Sequence, residues 1–279
     1  MNRFISLALY LILAPFVGAL LDGIDRKITA RMQGRKGPSI FQPFYDLIKL
    51  FSKQMIAVNS VQLLLNCSYL VFLAIAGGMV FFWDRYINEL VYFVDCDMFL
   101  ILAASSDSSP YSNIGASREM LQMMAYEPMT LLIAVGFYLA TGSFRVDDII
   151  QQSTSVILMM PGLFVGYILI MAIKLRKSPF DLSTSHHAHQ EVVKGITTEM
   201  SGPTLAIMEI GEYYEKMLLL AVVALFFINS NWYSWIIAII ACLGVYFIEI
   251  VIDNVSARIN WRYVLNVCWL ITLLCGGIN

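Results

Sequence analysis

Glu209, Glu212, Glu215 and Lys216 sit inside a run from Pro203 to Ile228 that is otherwise apolar and long enough to cross a bilayer. At 100° per residue, Glu209, Glu212 and Lys216 fall within about 60° of one another on a helix, with Glu215 flanking them. A charge at the bilayer centre costs roughly 2.5–3.5 kcal/mol, so four facing lipid would cost on the order of 10 kcal/mol. That approaches the net stability of a whole domain. The segment can fold only where protein or water surrounds its charged face. A proton or ion path is the default reading of such a stripe.

The rest of the chain supplies those surroundings. It is 59% hydrophobic and 14% charged, against about a quarter charged in a soluble domain. We therefore expect an all-α integral membrane protein, one polytopic domain over 1–279. A net charge of −2 and the lack of any basic run argue against nucleic-acid binding. Cys67, Cys96, Cys242, Cys268 and Cys275 are scattered through apolar segments without a C-x-x-C pair, and read as small buried hydrophobes, not iron–sulfur ligands.

Eight apolar segments approach the ~20 residues a span needs: roughly 4–21, 61–83, 88–105, 121–141, 155–173, 203–228, 232–252 and 261–278. The first is too long for a signal-peptide core and no clear cleavage site follows it. Of the 18 Lys and Arg residues, 14 fall on one side of this layout, three on the other, and Lys216 within it. The positive-inside rule makes the basic side cytoplasmic and both termini external, with loops 22–60, 106–120, 174–202 and 253–260 on the basic side. Trp83, Tyr86, Trp232, Tyr233, Trp235, Trp261 and Tyr263 fall at the expected interfaces. No internal repeat is visible, which weighs against an inverted-repeat carrier.

In the first loop, Gly34, Gly37 and Pro38 make a turn decorated by Arg31, Arg35 and Lys36. Phe44, Leu47, Ile48, Leu50 and Phe51 then recur at helical spacing, opposite Asp46, Lys49 and Lys53, predicting an amphipathic helix at the membrane surface or under a partner. Three further blocks follow: Gly115-Ala-Ser-Arg118-Glu119-Met, Ser178-Pro-Phe-Asp181-Leu, and Ser185-His186-His187-Ala-His189-Gln-Glu191. With Thr198-Glu199-Met-Ser-Gly202 and the closing Ser256-Ala-Arg258-Ile-Asn-Trp-Arg262, they resemble the H-type subunit of complex I and the membrane subunits of energy-converting hydrogenases over nearly the whole chain. Within that family the second-loop and histidine blocks most resemble the B-type membrane subunit of the Ech-type, ferredoxin-dependent [NiFe] hydrogenase.

The resemblance implies a non-catalytic subunit of an oxidoreductase complex that couples hydrogen evolution or uptake to proton or sodium movement across a prokaryotic cytoplasmic membrane. It implies a [NiFe] large subunit, an iron–sulfur small subunit, a ferredoxin-like subunit and an antiporter-like membrane subunit as partners, with soluble ferredoxin reaching the complex. The [NiFe] centre and [4Fe-4S] clusters would reside in those partners, and no cofactor or metal in this chain. Arg31, Gly34, Arg35, Lys36, Gly37, Pro38, Arg118, Glu119, Asp181, His186, His187 and His189 are the expected docking residues. The histidines could instead move protons at the entry, since histidine titrates near pH 6.5; neighbouring histidines diverge, which disfavours a metal site. Quinone-reducing relatives carry an acid-rich stretch after the Pro-Phe-Asp-Leu motif. Ser, Thr and His stand there in this chain, which favours the hydrogenase branch over a quinone-site subunit of a complex I-like oxidoreductase.

The expected ion path comprises Glu127, Glu191, Glu199, Glu209, Glu212, Glu215 and Lys216. Glu127 precedes Pro128, which cannot bond back to the Met124 carbonyl. Glu212 and Lys216 are spaced for an i, i+4 pair. Asp95 and Asp97 either line a route or shorten the third span, while Glu249 and Asp253 read as structural.

Overall fold

The computed structural model describes residues 3–55, 59–82, 86–184 and 194–278. Among these residues ten α-helices follow one another: α1 (Arg3–Met32), α2 (Gln42–Ser52), α3 (Ser60–Phe82), α4 (Tyr86–Ser105), α5 (Pro110–Thr141), α6 (Val146–Ile150), α7 (Pro161–Lys174), α8 (Pro203–Phe227), α9 (Tyr233–Val255) and α10 (Trp261–Ile278). Short 3₁₀ turns at Val156–Leu158 and Gly195–Thr197 precede α7 and α8, and no strand occurs among the described residues. Trp83, Asp84 and Arg85 lie outside them.

The long helices alternate in direction. Ser6 at the start of α1 bonds the Phe81 carbonyl at the end of α3 at 2.8 Å, and Ser155 before α7 reaches the Phe227 carbonyl at the end of α8 at 3.1 Å. At the opposite end, Asn254 of α9 bonds Thr29 of α1 at 3.1 Å, and the Ile259 amide bonds the Pro179 carbonyl. The outside is apolar: Ile236, Ile239, Ile240, Leu243 and Phe247 of α9 and Leu270, Leu273 and Leu274 of α10 are exposed. A water-soluble monomer does not display such a continuous apolar surface. The chain is an all-α, multi-pass membrane protein.

Four described helices meet a strict standard of length and apolarity for crossing a membrane, within α1, α3, α5 and α9. The other predicted spans depart for identifiable reasons. Helix α8 is long enough but carries its charges. Helix α7 has only 14 residues, about 21 Å of rise against a ~30 Å core, because Pro161 opens it where an apolar run had already begun. Its end meets Glu215, halfway along α8, and so lies at bilayer depth. Lys174, Arg176 and Lys177, expected in a loop, are packed inside the bundle. The basic asymmetry loses these three residues and keeps its sign.

Two more expected loops are helical. The first span continues unbroken from Leu21 to Met32, ending where the Arg35 amide bonds the Ala30 carbonyl at 2.7 Å across Gly34, whose φ of 71° suits a residue without Cβ. Gly115 to Glu119 form the early turns of α5. The predicted amphipathic helix is α2, with Pro43 and Leu50 buried and Tyr45, Ile48 and Phe51 exposed.

Pro128 lies inside α5 as expected. The Met124 carbonyl it releases is taken by the Trp269 indole N–H of α10 at 3.3 Å. Trp269→Phe should lower stability by about 0.5–1.5 kcal/mol, the usual worth of one hydrogen bond, read as a lower unfolding midpoint in detergent. An unchanged midpoint would show that this bond does not serve the proline break.

Candidate ion-pathway site

Helix α7 ends in a strained turn that organises the site. The Lys177 amide bonds the Ala172 carbonyl at 3.1 Å and the Arg176 amide bonds Ile173 at 3.0 Å, closing the helix around Arg176 with φ 50°. Glycine ordinarily takes that place; a residue with a side chain costs roughly 1–3 kcal/mol there. The strain is offset by what the turn presents. Three cations leave one helix end in three directions, where the helix dipole also favours them.

Lys174 ion-pairs with Asp97 of α4 and lies 3.7 Å from Glu215 of α8, its ammonium over the Tyr126 ring of α5 at 4.7 Å. The Tyr126 hydroxyl donates to Asp97 at 2.5 Å. The Tyr69 hydroxyl of α3 donates to Glu215 at 3.2 Å. Arg176 bridges two acids, Glu119 of α5 at 3.1 Å and Glu212 of α8 at 2.8 Å. Lys177 reaches Asp25 of α1 at 2.7 Å. Lys216 turns the other way, to Asp22 of α1, which also holds Arg26 at 2.9 Å.

These groups surround a cavity of about 220 Å³ bordered by Asp22, Asp25, Glu212, Glu215 and Asp253 against Lys174, Arg176, Lys177 and Lys216. That is room for several waters among partners able to hold them. Six helices therefore supply one charged core. Its near balance of signs answers the desolvation problem posed by α8: each charge is kept in the membrane by an opposite one.

The expected residues divide accordingly. Glu212, Glu215 and Lys216 are in the core, but Glu212 and Lys216 do not pair with each other; Arg176 and Asp22 take them instead. Glu209 is half-buried, with one oxygen lacking a hydrogen-bond donor among the described residues. Glu127 is half-buried on α5 and makes no ion pair among the described residues; Thr130 bonds its backbone carbonyl at 2.7 Å. Glu199 is half-buried beside the Gly195–Thr197 turn. Glu191, His186, His187 and His189 lie outside the described residues.

Of the expected docking residues, Arg31, Gly34, Arg35, Lys36 and Pro38 are exposed and Gly37 is half-buried. Three others turn inward: Glu119 to Arg176, Asp181 to Arg258, and Arg118 to the Leu182 carbonyl at 3.5 Å. Sequence reasoning missed Asp22, Asp25, Lys174, Arg176 and Lys177, and left Asp97 undecided. The i, i+3 spacing of Asp22 and Asp25 just after an apolar run was the available signal. Glu249, read as structural, is fully buried in α9 with both carboxyl oxygens lacking a hydrogen-bond donor among the described residues. Asp253 accepts the Ser178 amide at 2.8 Å, which suits a structural role. No three His, Cys, Asp or Glu side chains among the described residues are grouped to hold a metal.

Arg176 lies just beyond α7. A guanidinium stays protonated in proteins, and Glu119 and Glu212 hold this one from two sides. It is a fixed positive charge. At an effective dielectric near 20, two unit charges 4 Å apart interact by about 4 kcal/mol, and moving one charge against 100 mV takes about 2.3 kcal/mol. Re-partitioning Arg176 between its two acids is therefore of the magnitude that ion transfer requires.

Gly211 admits the Tyr69 ring to α8: a Cβ there would lie 2.5 Å from Tyr69 Cε1. Gly211→Ala should cost about 1–3 kcal/mol by overpacking and displace the Tyr69 hydroxyl from Glu215. Unfolding in detergent would measure it, and wild-type stability would show that the ring is not held by this contact.

A family model described as NADH dehydrogenase matches residues 5–279. The H-type subunit of the NADH-quinone oxidoreductase of Carboxydothermus hydrogenoformans is 28% identical, covering 90% of this chain and 82% of that protein. Hydrogenase-4 component C of Escherichia coli is 27% identical, covering 90% and 87%. In three dimensions the chain is similar to one in the membrane-bound sulfane sulfur reductase, an archaeal respiratory membrane complex, with a TM-score of 0.88 at 22% identity over 100% of this chain and 98% of that one; at that identity the likeness concerns the fold. An all-α bundle with a charged core, matched over nine-tenths or more of its length by these relatives, is a membrane subunit of a complex I-like complex: the chain belongs to the NADH dehydrogenase family, which takes in the H-type subunit of complex I and its hydrogenase counterparts.

Proposed function

We propose that this chain is the membrane subunit of an energy-converting, ferredoxin-dependent [NiFe] hydrogenase complex in a prokaryotic cytoplasmic membrane. It docks the hydrogenase module and couples that module's electron transfer to proton or sodium movement. The observation that carries the coupling role is Arg176, bound at once to Glu119 and Glu212 at the end of a helix stopped at bilayer depth. A change of charge or position at the basic end, where Glu119 sits, alters the share of Arg176 left for Glu212. Glu212 in turn borders the cavity it shares with Glu215 and Lys216. The exposed turn at Arg31, Gly34, Arg35, Lys36 and Pro38, together with exposed Tyr45, Ile48 and Phe51 of α2, offers a basic and apolar surface for the docked module.

The hydrogenase branch is favoured by the Ser, Thr and His residues after Asp181 and by the similarity to Hydrogenase-4 component C. The second reading, a quinone-site subunit, is favoured by the similarity to the H-type subunits of NADH-quinone oxidoreductases. Purifying the complex through a tag on this chain, followed by metal analysis and a hydrogen-evolution assay with reduced ferredoxin, separates them. Nickel with iron and hydrogen evolution supports the first; quinone reduction without nickel overturns it.

A further inference from the structure

We propose that the buried polar face of α3, Gln62, Asn66 and Tyr69, is a proton feed leading from Asp107 at the basic end to Glu215 inside the bundle. It rests on reading the charged core as an ion pathway, and names how that core is supplied.

The three α3 residues are spaced i, i+4 and i+7, so they share one face and span about 10 Å along the axis. All three are buried to within 1% of full burial, in a helix apolar enough to cross a membrane. The first rung touches the loop between α4 and α5, and the other two touch α8. Gln62 donates to the carboxylate of Asp107 between α4 and α5. Asn66 donates to the Thr204 carbonyl of α8 at 2.6 Å. Tyr69 donates to Glu215, which lies beside Lys174.

Simple polar glue between helices would satisfy its own groups. These do not: Oδ1 of Asp107 and Oδ1 of Asn66 are buried without a hydrogen-bond donor among the described residues. Buried acceptors left open at the mouth of this face and at its middle rung are places where ordered water is held. Asp107 also suits the mouth of such a route. It lies in the loop between helices, and burial, followed by the negative charge of Glu199, raises its carboxyl above the usual range, so it holds a proton more readily than an exposed aspartate.

The transfer balances at each station. Asp107 binds a proton from the aqueous face and releases it to water oriented by the Gln62 and Asn66 amides, which carry no proton themselves. Tyr69 gives its hydroxyl proton to Glu215 and takes one from that water, so its own state is unchanged. Glu215 then holds the proton next to Lys174 and Asp97.

The test uses the purified complex in liposomes during turnover, measuring the rate of proton uptake at the basic face. Asp107→Asn, Asn66→Val and Glu215→Gln should each slow it at least about tenfold, while Asn66→Asp, which keeps an acceptor, should restore most of the rate lost in Asn66→Val. Infrared difference spectra should lose a carboxylic C=O band in Asp107→Asn, a change that a structural role would not produce. If the α3 and Asp107 variants match wild type while Glu215→Gln is slow, the feed is overturned and the core stands. If Glu215→Gln is also unaffected, the ion-pathway reading falls first. If Asn66→Val does not assemble, Asp107→Asn decides alone. Wild-type transport of sodium without proton uptake overturns the feed outright.

Discussion

Lys174→Met is expected to destabilise the subunit by about 3–5 kcal/mol, the cost of stripping a buried charge pair of one partner, and so to deplete it from the assembled complex. The lysine is buried between Asp97 and Glu215. Met has similar volume, so the loss is electrostatic and not a cavity. Tyr126 and Tyr69 would still donate to the two acids, but neutral hydroxyls do not replace an ammonium. Adding Asp97→Asn should restore much of the stability, since removing both members of a buried pair is often nearly neutral. Thermal unfolding in detergent and the amount of subunit co-purified report both effects. A Lys174→Met protein as stable as wild type, or a double variant no better than the single one, would show that the two side chains are not energetically coupled.

Most of the architecture was legible before any coordinates, because a bilayer imposes its own thickness. Apolar runs marked every long helix, and the spacing of Phe44, Leu47, Ile48, Leu50 and Phe51 marked α2. What hydropathy does not register is where a helix starts within an apolar run. The run before Lys174 looked long enough to reach the far surface. Pro161 starts α7 late, and three cations that would have been solvated became the centre of the site.

The same limit hid Asp22 and Asp25. An apolar run ends at Leu21, yet α1 continues for about three more turns, and its acids there meet Lys216 and Lys177. The pairing of Glu212 with Lys216 failed for a different reason. Spacing of four residues puts two side chains on one face of a helix and is worth only about 0.2–0.5 kcal/mol. Partners on α1 and just beyond α7 displaced it. The charged stripe itself was the reliable signal, since no arrangement of α8 against lipid was tolerable.

Glu212→Gln carries the second large effect, and it separates coupling from folding. The Glu212 side chain is about a third exposed (32%), and Arg176 keeps Glu119 when it is lost. The stability cost should therefore be that of a partly solvated pair, below about 1 kcal/mol. Transport should suffer far more, by about 10²-fold, the low end for removing a positioned proton-transfer group. The decisive measurement is ions moved per electron by the purified Glu212→Gln complex in liposomes, beside wild type at equal subunit content. Assembled complex with electron transfer and little or no ion movement is the result expected of a pathway through Glu212. Wild-type ion movement per electron in that variant would contradict it, and would remove the charged core around Arg176 from the pathway.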